Sequence, residues 1–178
     1  MLPRLFSAMK IGILSDTHGF LLPPLFDFFA DCDELWHAGD IGTVEVLQRL
    51  QDFKPLRAVY GNIDGQDIRC QCAEDAVFTA GGLRVCMTHI GGYPGHYTAH
   101  GLQLLREHRP QLFVSGHSHI LKVMPDPRHG LMHFNPGAAG FHGWHVYTTA
   151  LRFDIYNGKP DKLEVYQIGR DEAAKFRK

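Results

Sequence analysis

Short apolar runs closed by glycine or polar residues recur through the first sixty positions, with denser apolar stretches between them. Lys10-Ile11-Gly12-Ile13-Leu14 reads as a buried strand. Residues 21–30 are too densely apolar for an exposed strand, and Pro23-Pro24 suits the first turn of a helix there. Residues 34–38 form a second strand. Thr43 is then placed to cap a helix whose Val46, Leu47 and Leu50 share one face. A third strand over residues 56–60 stops at Gly61. This alternation is that of an α/β domain with crossover helices. Further on, residues 76–80 and 83–88 flank Gly81-Gly82 as a β-hairpin. Residues 98–108 carry Leu102, Leu104 and Leu105 as a helix that ends before Pro110. Strands are expected over 111–115, 120–124, 131–134, 146–153 and 163–168. No linker or repeat divides the chain, so residues 10–170 are expected to form one domain, with one mixed sheet or two packed sheets flanked by helices. Residues 1–9 are expected as a frayed leader, with Met9 a second candidate start, and 171–178 as a tail.

The composition fits that picture. At 178 residues, 44% hydrophobic and 21% charged, the chain can bury a full core. A formal net charge of −1 gives no dedicated nucleic-acid surface. Cys70-Gln71-Cys72 is too tight for a zinc knuckle, and Cys32 and Cys86 supply no second pair. Reduced thiols and a cytoplasmic location are expected. No apolar run is long enough to cross a membrane.

The ends of the apolar runs carry the chemistry. They read Ser15-Asp16-Thr17-His18-Gly19, Gly39-Asp40, Gly61-Asn62-Ile63-Asp64, Thr88-His89 and Gly116-His117-Ser118-His119. Taken singly, each has an ordinary reading as a turn, a cap or a core histidine. Together they give seven donors, Asp16, His18, Asp40, Asn62, His89, His117 and His119, most of them just after a strand. In open α/β sheets that is where ligands bind. Seven donors exceed one structural ion but suit two ions sharing a carboxylate, an arrangement that cleaves phosphate esters. Asp16/His18 and His117/His119 repeat an i, i+2 spacing that puts both side chains on one face of extended chain. Glycines 19, 39, 61, 91 and 116 would let the backbone turn beside a crowded site. Imidazole with carboxylate and amide oxygen suits Mn²⁺, Fe²⁺, Zn²⁺, Co²⁺ or Ni²⁺, with manganese the expectation. Calcium and magnesium would call for oxygen donors.

These residues, with Asn135-Pro136-Gly137, make the chain resemble the calcineurin-like metallophosphoesterases. The resemblance is closer to their small bacterial and archaeal phosphodiesterase branch, which includes the Vps29 retromer subunit. It spans residues 10 to about 140. It implies a four-layer αββα sandwich, two mixed β-sheets face to face with helices outside. It also implies that Asp16, His18 and His119 hold one ion, that Asn62, His89 and His117 hold the other, and that Asp40 bridges them, with water or hydroxide between the ions as the nucleophile. Asp40, Asn62 and His89 are the residues expected to carry catalysis. Asp64 is expected to orient a ligand or shape a turn. Many relatives place a histidine after the Gly-Asn pair to assist the leaving group; this chain has Ile63. His96 and His142 are the candidate substitutes.

The expected function is hydrolysis of a phosphodiester substrate. The alternative is a non-catalytic scaffold like Vps29, which would need exposed apolar residues, with Phe20, Leu21, Leu22 and Phe141 as candidates. A nuclease would need a basic groove. Loops 91–100 and 126–130 are expected to set specificity, and a homo-oligomer remains open.

Overall fold

The structure, a computed structural model, describes residues 8–177. Ten strands form two five-stranded sheets. The first contains β1 (Met9–Leu14), β2 (Glu34–Ala38), β3 (Leu56–Val59), β9 (Tyr147–Tyr156) and β10 (Lys159–Gly169), in the order β10-β9-β1-β2-β3. The second contains β4 (Asp75–Ala80), β5 (Leu83–Thr88), β6 (Leu112–Val114), β7 (Leu121–Asp126) and β8 (Leu131–Pro136), in the order β4-β5-β6-β8-β7. β1, β2 and β3 run parallel, as do β5, β6 and β8, while β4, β7, β9 and β10 are antiparallel to their neighbours. The expected sandwich of two mixed sheets is what forms.

The period-two alternation of strand side chains sorts the core into layers. Ile11, Ile13, Trp36, Val85, Met87, Leu112, Val114, Phe134 and Phe153 fill the space between the sheets. The alternate positions face outward onto helices. On the first sheet these are α1 (Pro24–Phe28) and α2 (Val44–Phe53), packed through Leu25, Val46, Leu47 and Leu50 with Leu14 and Leu35. On the second, α4 (Ala99–His108) sets Leu104 and Leu105 against Cys86 and Phe113. Each buried Leu or Phe contributes roughly 1.5–3 kcal/mol relative to exposure. This interior fixes the spacing of the sheets and therefore of the loops at their ends.

Most elements lie where the pattern puts them. Thr43 caps α2, its Oγ1 accepting the Val46 N–H at 3.3 Å. Three differences have physical causes. The helix expected over 21–30 is five residues long, because Pro23 and Pro24 lack the N–H groups to extend it backwards. Leu21 and Leu22 enter the core ahead of it. β9 and β10 run longer than expected and meet at Asn157-Gly158, both at positive φ, a hairpin turn unread in the sequence. β10 is an edge strand whose exposed polar residues, with Pro160, mask its alternation. Finally, α3 (Gln66–Arg69), α5 (Arg170–Ala173) and a 3-10 turn over Ala174–Arg177 were not anticipated, and Ala173 is fully buried against the first sheet's outer layer. Of the expected leader, residues 1–7 lie outside the described residues, while Met9 opens β1.

Candidate metal centre

Parallel strands present their carboxyl ends on one side, and here both sheets do so at the same edge of the sandwich. Asp16 and His18 follow β1, Asp40 follows β2, Asn62 follows β3, His89 follows β5, and His117 and His119 follow β6. Backbone hydrogen bonds tie these loops together. The Asp16 N–H donates to Gly39 C=O at 2.9 Å, His18 N–H to Asp40 C=O at 3.0 Å, and Gly116 N–H to His89 C=O at 3.0 Å. Two bonds at the site join loops of the two sheets: His117 N–H donates to Asp16 Oδ2 at 3.1 Å, and His89 Nδ1–H donates to Ala38 C=O at 2.7 Å.

The side chains gather into two triads, Asp16/His18/His119 and Asp40/His89/His117, the donor atoms of each within 4.8 Å of one another. Asp40 faces both: its Oδ1 lies 3.2 Å from His89 Nε2, and its Oδ2 lies 3.7 Å from His18 Nε2. Asp16 Oδ1 sits 3.0 Å from His119 Nε2, and the Nε2 atoms of His18 and His119 are 3.3 Å apart. Asn62 stands at the exposed rim and shares a cavity of about 300 Å³ with His89. The backbone N–H of the next residue, Ile63, donates to Asp40 Oδ1 at 3.1 Å.

Three features fit these residues to cations. Asp16 Oδ1 and His89 Nε2 are buried without a hydrogen-bond partner, a costly state for polar atoms that a cation would relieve. Because Ala38 C=O can only accept, His89 carries its proton on Nδ1 and turns the Nε2 lone pair inward. The backbone is also strained here: Asp16, His18, Asp40, His117 and His119 have φ between 47° and 67°. Such left-handed non-glycine residues cluster at functional sites. Two glycines admit the crowding. A Cβ at Gly39 would lie 2.6 Å from the His89 ring, and one at Gly61 would lie 2.0 Å from Asp40 Oδ1.

Electrostatics set the protonation states. Burial lowers His18 and His117 below the ordinary imidazole value, outweighing the attraction of Asp16 and Asp40, which favours the neutral form a cation needs. Burial would lower His89 too, but the Asp40 contact and the Asp16 charge raise it. For Asp40, burial pulls upward, and His89, Ile63 N–H and His18 together hold the carboxyl below its usual range.

Three residues support the donors: Asp64, expected to orient a ligand or shape a turn, Asn135 of the Asn135-Pro136-Gly137 turn, and His37, which the sequence did not single out. His37 is buried, its Nδ1 accepting the Gly39 N–H at 3.2 Å, so its Nε2–H donates to Thr17 Oγ1 at 2.9 Å. Asp64 accepts the N–H groups of Ile41, Gly42 and Gly61, locking the loops after β2 and β3 together. Asn135 Nδ2 donates to Gly116 C=O at 2.8 Å, holding the His117–His119 loop from β8. Of the candidate acids, His142 stacks 4.8 Å from His18, while His96 pairs with Tyr93. Of the expected specificity loops, residues 126–130 are misplaced: six residues of β7 carry the chain roughly 20 Å away from His119 before that turn. Thr98 and His100, by contrast, line the cavity with Asn62.

Comparison with known proteins agrees with this geometry. The family model of the calcineurin-like phosphoesterase superfamily domain matches residues 9–158. A probable metallophosphoesterase of Methanothermobacter thermautotrophicus is 28% identical over 137 residues, covering 73% of this chain and 77% of that protein. A second, from Methanocaldococcus jannaschii, is 29% identical over 170 residues, covering 92% of this chain and 83% of that protein. Among solved structures, Vps29 of Cryptosporidium parvum superposes with a TM-score of 0.68 at 16% identity, covering 91% of this chain and 98% of that one, a likeness of fold. The matched span takes in every strand-end donor, and the chain belongs to the calcineurin-like phosphoesterase superfamily, a family of metal-dependent phosphoesterases.

Proposed function

We propose that the protein is a phosphodiesterase that uses two divalent cations, with manganese the expected metal. Asp16, His18 and His119 would hold one and Asn62, His89 and His117 the other. Asp40 would bridge them, since each of its oxygens faces a different triad. That division of one carboxylate between two clusters is the observation that carries the reading. Bound there, the cations supply a lowered pKa for water and neutralise phosphoryl oxygens. The chain supplies position and charge balance: Asp16 and Asp40 bring negative charge, the imidazoles offer nitrogen lone pairs, and Asn62 adds an oxygen without further repelling an anionic substrate. The preference for diesters comes from the resemblance to the small phosphodiesterase branch.

The test pairs metal analysis of chelator-free protein with hydrolysis of bis(p-nitrophenyl) phosphate. Close to two ions per chain with turnover is the expected result; a fully loaded protein inert towards phosphoesters would sink the reading. Ile63 adds a finer expectation. Its side chain is 46% exposed beside Asp40 and can neither donate a proton nor bind phosphate. Aryl diesters should therefore react much faster than alkyl ones, with a steep dependence on leaving-group pKa. A flat dependence would mean that a proton donor acts after all.

The scaffold alternative loses its candidate patch. Leu21, Leu22 and Phe141 are buried and Phe20 is half-buried.

A further inference from the structure

Beside His18 the surface opens into a cavity of about 590 Å³, within the range of small-molecule sites. One wall is aromatic. The rings of Phe20 and Phe141 lie 4.8 Å apart, and Trp144 stands at the rim with full (100%) exposure. Trp36, by contrast, is fully buried, so the Trp144 indole has no part in the core. The facing wall is cationic, formed by Arg170 at the start of α5 and Arg177 in the turn that follows. Arg170 Nη1 donates to Gly143 C=O at 2.6 Å, and the Arg177 guanidinium lies 5.4 Å over the Phe141 ring. Ion pairs among the described residues engage Arg57 and Arg152 but neither of these arginines. Among the described residues no carboxylate lines the cavity, although Asp171 and Glu172 lie on the same helix. His142, stacked on His18, joins the cavity to the metal centre.

We propose that this cavity recognises the part of the substrate that does not react. The ligand it fits is a small phosphoester with a planar aromatic group and a second anionic group, the chemistry of a nucleotide. The planar ring stacks on the exposed Trp144 indole, and Arg170 and Arg177 take the second anion. A nucleic-acid strand would need an extended basic track, which a chain of net charge −1 does not advertise. This inference rests on the phosphoesterase reading for its reacting end.

The test uses the full chain loaded with Mn²⁺ and two probes, α,β-methylene adenosine diphosphate and the monomethyl ester of methylenediphosphonate. Both carry the same monoesterified P–C–P unit and charge, so the ratio of their affinities reads the pocket and not the metals. The nucleoside probe should bind about 10-fold tighter and change the emission of Trp144, a change absent in Trp144→Leu. Arg177→Gln should weaken the nucleoside probe about 10-fold while metal content and melting temperature hold. Equal affinity for the two probes, or an Arg177→Gln protein that binds like wild type, overturns the inference. Hydrolysis of bis(p-nitrophenyl) phosphate without probe preference would overturn the pocket and leave the phosphoesterase reading standing. Probe preference without hydrolysis of any ester would support the pocket and fail that reading.

Discussion

Replacing Asp40 with asparagine is expected to lower phosphodiester hydrolysis by roughly 1000-fold without unfolding the protein. A unit charge within 4 Å of a cation is worth about 4 kcal/mol at an effective dielectric of 20, and amidation removes that charge. The asparagine still presents an oxygen to the Ile63 N–H, so the loop geometry survives. In metal-free protein, Asp40 is a buried carboxylate near the second carboxylate, Asp16, which shares His18 and His89 as neighbours. Because His89, His18 and the Ile63 N–H hold the Asp40 carboxyl below its usual range, the folded state favours its charge, and neutralisation should lower the thermal stability of metal-free protein modestly without unfolding it. Activity, metal content and melting temperature of Asp40→Asn decide the matter together. A variant that keeps both ions and more than a tenth of wild-type turnover would remove Asp40 from the bridge.

The second large effect concerns acid. His133 on β8 and His37 on β2 are fully buried, and burial pushes each down to about 4 from the ordinary 6.5. A depressed histidine pKa means that the unfolded chain takes up its proton first. Stability is therefore complete above about pH 6.5, falls as pH drops towards 4, and levels off below that. Each histidine contributes about 3 kcal/mol to the loss. Neither ring nitrogen of His133 has a partner, and the ring packs among Phe113 and Tyr97, so no neighbour is organised to accept a charge there. Protonating His37 would place an N–H against the Gly39 N–H and disturb the loop that holds Asp40. Urea unfolding of chelator-treated protein at pH 7.5, 5.5 and 4.5 should show this slope. In His133→Leu the slope should fall by close to one proton's worth, whatever the substitution does to packing. An unchanged slope would mean that His133 does not titrate with unfolding.

What the sequence disclosed follows from how each feature is encoded. The sandwich was legible because buried strands such as Lys10–Leu14 and the Gly81-Gly82 hairpin are written in local pattern. The six histidine and aspartate donors were legible because each stands at a strand end, and parallel strands bring their ends together. The network behind them was legible only in part. The sequence leaves Asp64 between orienting a ligand and shaping a turn, and the structure shows three N–H groups from two loops converging on it; His37 reads as a strand residue until its ring is found between Thr17 and Gly39. The contacts that decide these roles, Asp64 with Ile41 and Gly42 and His37 with Thr17, span 20 to 23 positions of sequence. The recognition wall was hidden for a similar reason. Arg170 ends the expected domain and Arg177 sits in the expected tail, and a short helix anchored by Ala173 brings them beside His18.

The left-handed backbone at Asp16, His18, Asp40, His117 and His119 also constrains how this centre can change. Glycine aside, aspartate, asparagine and histidine are the residues that tolerate such φ values best. The main chain therefore filters the alphabet of ligands before any metal does. Glutamate, cysteine or glutamine at these five positions would have to overcome the fold as well as satisfy the ion. Aspartate–asparagine exchange remains the cheap substitution, and it changes charge while keeping shape. Natural variation in the centre should accordingly run along charge, tuning which cation and which substrate are held, far more readily than along geometry.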